Sequence, residues 1–565
     1  PRPGPVREVA MRNSVTHGTG FSRSDVAVRS RNEIFSRAAR FATVFVVVAA
    51  SFSAVAIQLI RLGISEPVTG RTAITHSLSE TFSRPDIVDR NGHLIATDVV
   101  MQSLFADPSR LLGVEETLER LARVLPDVDT PTLRRQLANR KRRFVWIRRG
   151  LSPATAQRIL DLGLPGLAFR SEPRRSYPQG HLAGHLIGNV DVDNKGLSGI
   201  ENHIDQIGGT ERVIGEPRLS GREIRLTLDL GVQAAVEQEL QQAIERFKAK
   251  AASAIVLDVR SGAVRAAASL PGVDPADPVM AQDPAKLDRL RNGTYELGSI
   301  FKALTLALAF EKKTVTPETV IDVRQSIEIG RHEISDFHAA GRPLTVEEVF
   351  VYSSNVGAGM IALDLGADAQ RAFLAQLGLL EAFETEAGAT AAPQVPRHWG
   401  KAEVATIAFG HGLAVTPLHF ARAGAMLVNG GLAVTPRLLE DTAGDDGKRK
   451  RVVSAATSAA MRRLMRLNVI HRKGSGRNAD VAGYRVGGKT GTADLAAGGT
   501  YDGRAVVTSF FAAFPLDEPA FVVLVTLYDP KGVEPAYSRT AGTNAAPTAG
   551  RIIARSAPLL GVEKR

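Results

Sequence analysis

The 565-residue chain is predicted to have an α+β fold in at least two domains, preceded by a membrane-spanning helix. Three observations support this prediction. The chain is longer than a single hydrophobic core can organise. Its second half has strand patterns at both ends and helical patterns between them, which is typical of an antiparallel sheet covered by helices. Near the N-terminus, residues 41–60 form an uncharged apolar run.

The apolar run Phe41–Ile60 has no charged residue in twenty positions. A helix of that length spans about 30 Å, the thickness of the bilayer core. Residues 1–40 hold eight arginines and three acidic residues, which predicts a cytoplasmic tail. A cleaved signal peptide is the alternative, because Ala54-Val55-Ala56 resembles a cleavage site, but the run is long and the preceding tail large. We therefore expect an uncleaved transmembrane helix at 41–62, with the rest of the chain outside the cytoplasm.

Residues 63–225 are mixed in pattern and rich in arginine, and they are predicted to form the first domain. Arg84–Asp98 predicts two short strands joined by an Asn-Gly turn. Leu151–Leu162 begins with Ser and Pro before helical spacing, which indicates a capped helix. Gly221–Lys250 passes from an alternating strand into a long amphipathic helix, and we place the domain boundary near its start.

Residues 226–565 are predicted to form the second domain. Near its start, apolar strand patterns at 253–259 and 263–269 flank a short turn and predict a hairpin. Near its end, 505–514 and 520–528 predict another hairpin. The segments between the two hairpins are mostly helical in pattern, so one antiparallel sheet is expected to contain strands from both ends of the domain.

The composition excludes several classes of chemistry. The absence of cysteine excludes disulfides, thiolate nucleophiles and Cys-ligated zinc. A net charge of +11 would suit nucleic acid or an anionic surface, but aromatic residues make up only 5% and show no pattern for stacking bases. We expect no nucleic-acid partner.

A serine and a lysine interrupt the apolar segment that follows Tyr295. Ser299, Lys302 and Thr305 recur at i, i+3 and i+6, which predicts a polar stripe on an otherwise buried helix, facing a polar cleft. The serine could be only a helix cap, and the lysine could extend its ammonium to solvent. The chemistry is nevertheless plausible, because burial lowers a lysine pKa and a neutral amine can accept the serine proton.

Two further motifs favour the catalytic interpretation of Ser299 and Lys302 over the structural one. Ser353-Ser354-Asn355 could be a helix cap, and Lys489-Thr490-Gly491 could be a turn before a strand. However, Ser-x-x-Lys, Ser-x-Asn and Lys-Thr-Gly in this order form the signature of the penicillin-recognising serine acyltransferases. The joint occurrence favours an acyl-transfer site over three unrelated structural features.

From residue 63 to its C-terminus, the chain resembles the class B penicillin-binding proteins, which are monofunctional peptidoglycan D,D-transpeptidases. Arg84–Asp98 and the stretch from "RRSYPQGHLAGHLIGNVD" to "GLSGIENHID" resemble the pedestal, or dimerisation-type, domain, which the resemblance places at 63–225. The strands after Ala252 and the segment "FGHGLAVTPLHFARAGAMLVNGG" resemble the transpeptidase domain, placed at 226–565. The resemblance implies an elongated pedestal and an antiparallel five-stranded sheet with helices.

The resemblance also implies roles for the motif residues. Catalytic roles fall to four residues: Ser299, Lys302, Ser353 and Lys489. Substrate-binding roles fall to four others: Asn355, Thr490, Gly491 and Thr492. In this scheme Ser299 is the nucleophile and the site of covalent β-lactam attachment, while Gly491 lacks a side chain so that a substrate strand can lie against the sheet edge. The implied mechanism needs no metal and no cofactor.

The context of Asn355 resembles the septal, FtsI-type branch, since the elongation branch usually has Asp where Asn355 stands. This implies a single-pass protein of the inner membrane, with its N-terminus cytoplasmic and its bulk periplasmic. It also implies that the protein works on peptidoglycan stem peptides with a septal glycosyltransferase and other division proteins. An elongation-specific transpeptidase and a catalytically vestigial division scaffold are the alternatives.

Other members of the superfamily fit the sequence less well. A β-lactamase needs a Glu-x-x-Leu-Asn-type carboxylate that this sequence lacks, and a sensor needs a larger cytoplasmic domain. A D,D-carboxypeptidase is disfavoured by the large pedestal. Two histidines depart from the usual pattern of the family: His411 stands where Tyr is usual and His419 where Gln is common. We expect ordinary roles for both, in a loop or on a helix surface.

Overall fold

The structure is a computed structural model that describes residues 42, 45–57, 81–213, 221–330, 332–440, 449–495, 505–532 and 538–565. The chain divides into two units, Pro1–Leu78 and Ser79–Arg565. In the first unit, residues 45–57 form an exposed helix, α1. The predicted tail and the remainder of the predicted membrane helix, apart from residue 42, lie outside the described residues. Within the described part of the chain, no helix is both long and apolar enough to cross a membrane.

Residues from Thr81 onwards contain α-helices and β-strands in mixed order. The strands are β1 (Thr81–Ser83), β2 (Asp86–Val88), β3 (Leu94–Ala106), β4 (Val145–Leu151), β5 (Leu167–Ser176), β6 (Glu211–Val213), β7 (Glu223–Arg225), β8 (Ala251–Asp258), β9 (Val264–Leu270), β10 (Val320–Ile321), β11 (Ile327–Ile329), β12 (His332–Ile334), β13 (Leu344–Thr345), β14 (Gly487–Asp494), β15 (Val506–Phe514) and β16 (Phe521–Tyr528).

The helices that follow α1 are α2 (Val114–Ala122), α3 (Pro131–Ala138), α4 (Pro153–Leu160), α5 (Gly184–Ile187), α6 (Gly199–Gln206), α7 (Leu230–Phe247), α8 (Lys302–Lys312), α9 (Val346–Tyr352), α10 (Asn355–Leu365), α11 (Ala367–Gln376), α12 (Lys401–Ile407), α13 (Pro417–Val428), α14 (Ala455–Ile470) and α15 (Ala545–Leu559).

The N-terminal part of the second unit is built on one mixed sheet with the strand order β4-β3-β2-β7, and β5 also pairs with β3. The predicted hairpin after Arg84 is confirmed, since β2 and β3 pair antiparallel. The predicted capped helix is confirmed as α4, where the Ser152 side chain accepts a hydrogen bond from the Thr155 amide. The strand β7 ends at Arg225 and pairs parallel with β2, while the predicted boundary at 225/226 itself remains a prediction.

A buried ion cluster lies beside this sheet. Arg84 contacts Glu201 at 2.7 Å and Asp205 at 2.6 Å, and Arg175 contacts Glu201 at 2.6 Å and Asp98 at 3.2 Å. Apart from the Asp205 side chain, which is partly exposed, these side chains are almost fully buried. The cluster joins β3, β5 and α6, so it holds together elements that are far apart in sequence. Removal of one partner would leave a buried charge unpaired.

The C-terminal part is built on an antiparallel five-stranded sheet with the order β14-β15-β16-β8-β9. This confirms the expectation that strands from both ends of the domain share one sheet. Alternate residues of the strands point to opposite faces. One face is covered by α7 and α15, while the other packs against a core that contains α8 and α13. The central strands are therefore buried on both sides, which explains their continuous apolar sequences.

The first and last helices of this domain lie side by side. Glu239 on α7 accepts hydrogen bonds from Arg551 at 2.7 Å and from Arg555 at 3.0 Å, both on α15. The long helix predicted after Gly221 is thus confirmed as α7, and its partner comes from the other end of the domain.

Candidate active site

Ser299 lies in a tight turn that leads into α8. Residues Gly298–Phe301 form a 3₁₀ turn, so the α-helix begins only at Lys302 and Ser299 lies in the turn before it. Gly298 has φ +60°, and a methyl group there would lie 2.5 Å from the Thr492 carbonyl oxygen. A methyl group at Gly410 would lie 2.1 Å from the Gly298 carbonyl oxygen. Glycine is required where these backbones meet.

Lys302 is fully buried, and its Nζ is surrounded by oxygens of two motifs. It lies 2.7 Å from Ser299 Oγ and 2.7 Å from Asn355 Oδ1. It also lies 2.9 Å from the Ser353 carbonyl oxygen and 3.3 Å from Ser353 Oγ. The Phe409 ring lies near the same amine, 5.8 Å from it. The first two motifs therefore meet at one nitrogen atom.

The electrostatics of the site favour a neutral amine at Lys302. Burial, together with the neighbouring charge of Lys489, lowers the pKa of Lys302 well below its usual value. The carboxylate of Asp336 acts in the opposite direction. Burial also lowers the pKa of Lys489 to about 7. An amine with a lowered pKa can accept a proton near neutral pH.

Ser353 connects the two lysines. Its Oγ lies 2.9 Å from Lys489 Nζ as well as near Lys302. The residue ends α9 in a left-handed conformation with φ +61°, which is uncommon for residues other than glycine. This conformation lies between α9 and α10 and lets both the carbonyl and the hydroxyl of Ser353 reach Lys302. Strained backbone of this kind concentrates at functional sites.

The third motif lies on β14, at the edge of the five-stranded sheet. The Thr490 hydroxyl is 2.6 Å from Ser475 Oγ, and Thr492 Oγ1 accepts a hydrogen bond from the Ala541 amide at 3.1 Å. A methyl group at Gly491 would lie 2.2 Å from the Leu297 carbonyl oxygen. The explanation given above for Gly491 was therefore incomplete, since the missing side chain first makes room for the turn that carries Ser299.

Two other expectations are corrected. Thr305 does not face the cleft with Ser299 and Lys302, because it is buried and its hydroxyl donates to the Ala408 carbonyl at 2.9 Å. His419 is not on a helix surface, because it is fully buried near Thr416 and the Glu381 carbonyl, and burial lowers its pKa to about 4. Helical spacing alone cannot distinguish a polar side chain that faces a cleft from one that is buried and hydrogen-bonded to a backbone carbonyl.

Asp336 and Ser475 contact motif residues but were not identified from the sequence. Asp336 follows β12 and accepts hydrogen bonds around the second motif, and Ser475 lies in a glycine-rich turn after α14. Neither position carries a local pattern that distinguishes it from an ordinary loop residue. Only the folded chain brings these segments to the motifs.

Comparison with known families agrees with this arrangement. The family model of the penicillin-binding protein transpeptidase domain matches residues 252–554. The model of the penicillin-binding protein dimerisation domain matches residues 80–210. The first match spans the five-stranded sheet and all three motifs, and the second spans most of the mixed sheet and the buried ion cluster.

Individual relatives are similar over most of their length. The probable peptidoglycan D,D-transpeptidase FtsI of Caulobacter vibrioides is 38% identical, covering 86% of this chain and 82% of the relative. The probable peptidoglycan D,D-transpeptidase PenA of Neisseria meningitidis is 30% identical, covering 88% of each. A crystal structure of penicillin-binding protein 3 from Mycobacterium tuberculosis with aztreonam has a TM-score of 0.66 and 25% identity, covering 86% of this chain and 98% of that one.

The chain belongs to the penicillin-binding proteins, and among them to class B members of the FtsI type. The resemblance drawn from the three motifs is therefore confirmed.

Proposed function

We propose that this protein is a peptidoglycan D,D-transpeptidase that cross-links stem peptides of the septal wall through an acyl-enzyme on Ser299. The observation that carries the proposal is the set of contacts around Lys302 Nζ. A neutral amine has two N–H donors and one lone pair. The carbonyl oxygens of Ser353 and Asn355 can only accept, so they take the two N–H groups. The lone pair is left for the Ser299 hydroxyl, 2.7 Å away.

In the first step, Lys302 accepts the hydroxyl proton as Ser299 Oγ attacks the carbonyl carbon of the penultimate D-alanine. Backbone N–H groups of Ser299 and Thr492 are assigned to the oxyanion, and the close packing of Gly298 on Thr492 supports their proximity. The peptide C–N bond then breaks, and the terminal D-alanine leaves as an amine after it accepts a proton. An ester of Ser299 remains.

Ser353 is assigned to relay the proton to the leaving nitrogen, because its hydroxyl lies between the two lysines. Lys489 holds Ser353 and attracts the substrate carboxylate, while Thr490 and Thr492 bind that carboxylate. Asn355 orients Lys302 through its Oδ1 and binds the donor peptide. Backbone of β14 at Gly491 remains available to an extended peptide because β14 is an edge strand.

In the second step, an amine from a neighbouring stem peptide attacks the ester carbonyl and forms the cross-link. Ser299 Oγ leaves and recovers its proton. The reaction therefore needs no oxidant, reductant or cofactor. β-Lactams acylate the same oxygen. Because the opened ring stays attached to the ester, it blocks the place where the amine of the second stem peptide would attack. We expect that adduct to persist for many minutes.

The proposed location is the inner membrane, with a single helix at 41–62, the N-terminus in the cytoplasm and the bulk in the periplasm. The uncharged sequence of that run and the basic tail before it support this topology. The proposed partners are a septal glycosyltransferase and other division proteins, met through the helix and the pedestal domain. A reporter enzyme that is active only outside the cytoplasm should show activity when it is fused after Arg61.

The nucleophile is tested by labelling the full-length protein with a fluorescent penicillin and measuring its intact mass. The wild type should gain one penicilloyl group, and Ser299→Ala should gain none while keeping its circular dichroism. Ser198→Ala, which changes an exposed serine of the pedestal domain, is the matched control and should label normally. A penicilloyl adduct on Ser299→Ala would refute the assignment. Rapid steady hydrolysis of nitrocefin by the wild type would instead indicate a β-lactamase.

A further inference from the structure

The segment that follows β12 contacts the second motif through Ser335 and Asp336. Asp336 accepts a hydrogen bond from Ser354 Oγ at 2.6 Å, another from the Val356 amide at 3.0 Å and a third from the Asn355 amide. The Ser354 hydroxyl in turn accepts from the Gly357 amide at 2.9 Å. One carboxylate thus binds the first two amides of α10 and its capping hydroxyl.

The same segment fixes the orientation of Asn355. The amide nitrogen Nδ2 donates to the Ser335 carbonyl oxygen at 3.3 Å. The other end of the amide, Oδ1, therefore faces Lys302 Nζ at 2.7 Å. If the Ser335 carbonyl moved, the amide could rotate and present a donor to the amine, which would compete with Ser299 for its lone pair.

We propose that Asp336 is a positioning residue for acylation, holding the start of α10 so that Ser353 and Asn355 stay against Lys302. The inference rests on the proposed acylation of Ser299 and adds a residue outside the three motifs. Asp336 touches neither Ser299 nor Lys302 directly in the contacts above. It acts through Ser354 and Asn355.

The charge of Asp336 gives the proposal a distinctive readout. The groups that contact Lys302 are Ser299, Asn355, the hydroxyl and carbonyl of Ser353, and the Phe409 ring. Lys489, Asp336 and His411 interact with it electrostatically. Lys489 favours the neutral amine, whereas the carboxylate of Asp336 favours the ammonium and raises its pKa. Loss of the carboxylate charge should therefore lower the pKa of Lys302. The neutral base would then be available at lower pH.

The test measures the second-order rate constant for penicillin acylation of the full-length protein across pH. Asp336→Asn keeps the shape but removes the charge, and Asp336→Ala removes the side-chain contacts. Misplacement of catalytic groups by about 1 Å costs on the order of 100-fold in rate, and we expect a loss of that size for Asp336→Ala. Asp336→Asn should lose less rate, and the ascending limb of its pH profile should move to lower pH.

Asp322→Asn is the matched control, since Asp322 is exposed and pairs with Arg324 on the surface. It should acylate like the wild type. Circular dichroism checks folding, and if Asp336→Ala fails to fold the conclusion is drawn from Asp336→Asn. An Asp336→Asn protein whose rate stays within about twofold of wild type at every pH, or whose ascending limb does not move, overturns the proposal. Failure of the wild type and Asp322→Asn to label Ser299 would instead overturn the proposed function.

Discussion

At the residue scale, the site is organised by two buried lysines that need opposite protonation states. In the proposed mechanism Lys302 must be neutral to accept the Ser299 proton, whereas Lys489 must be charged to attract a carboxylate. Both are fully buried, and Ser353 Oγ lies within 3.3 Å of each amine. Burial and, after it, the charge of Lys489 lower the pKa of Lys302, so the charge of one lysine helps to keep the other neutral.

This pair predicts a bell-shaped pH dependence. The second-order acylation constant of the free enzyme should rise with pH as Lys302 loses its proton, and fall above about pH 7 as Lys489 loses its own. Lys489→Arg keeps its charge throughout this range. Its rate should be lower, because the geometry changes, but the descending limb near pH 7 should vanish. Stopped-flow acylation from pH 5 to 10 measures both limbs. A descending limb that survives in Lys489→Arg would contradict the assignment.

The structure brings the eight candidate residues together at the start of α8, the junction of α9 and α10 and the edge of β14, while their roles in catalysis remain a proposal. Sequence patterns indicated this grouping because three short motifs in fixed order carry chemical information that spacing alone does not. They failed at Thr305 and His419, where a polar residue on an apolar helix is satisfied by a backbone carbonyl. They could not find Asp336, since its contacts depend on a loop packing against a helix start.

At the scale of elements, the position of Ser299 depends on how closely three backbone segments approach. The turn at Gly298, the strand at Thr492 and the loop at Gly410 meet with no room for a Cβ atom. The sequence showed the glycines but not their neighbours, which lie far apart in the chain. The strands of the three predicted hairpins and the helices α4 and α7 were predictable, because their periodicity is local.

Gly410→Ala is predicted to displace the turn. Gly410 has φ +87°, and the new methyl group would lie 2.1 Å from the Gly298 carbonyl oxygen. Gly430→Ala is the control, because Gly430 has φ +90° but nothing within 4 Å of an added Cβ. Both should lose about 1 kcal/mol from backbone strain. Only Gly410→Ala should also lose acylation rate, by roughly 100-fold. Equal rates for the two variants would show that the turn tolerates the shift.

The buried ion cluster of the pedestal domain makes a second prediction at this scale. Arg84→Met leaves Glu201 without one of its two guanidinium partners, so the free energy of unfolding should fall by about 3–5 kcal/mol. Arg324→Met breaks an exposed pair with Asp322 and should cost less than about 1 kcal/mol. Urea unfolding of the two variants in detergent compares them. Similar midpoints would mean that Arg175 alone satisfies the cluster.

At the scale of the whole molecule, we propose that catalysis and recruitment reside in different parts of the chain. All three motifs lie within residues 299–492, far in sequence from the run at 41–60. Replacing that run with an unrelated apolar helix should leave penicillin acylation of Ser299 unchanged. Midcell recruitment of a fluorescent fusion, or septal activity, should weaken. Normal division with the replaced helix would show that the segment only tethers the protein.

Depletion separates the septal function from its alternatives. Loss of a septal transpeptidase should give filamentous or branched cells that elongate without dividing. Rounded cells would indicate the elongation branch. Complementation by Ser299→Ala would favour a scaffold whose catalytic site is dispensable. The Asn355 context supports the first outcome, and the relatives named above agree with it.

The side-by-side packing of α7 and α15 has a practical consequence for imaging the protein. These helices cover one face of the five-stranded sheet, whereas α8, which follows Ser299, belongs to the core on the other face. A fluorescent protein or affinity tag attached after Arg565 would therefore lie on the side of the sheet that faces away from the cleft. We expect such a tag to leave substrate access open, so live-cell tracking can be done on a catalytically competent molecule.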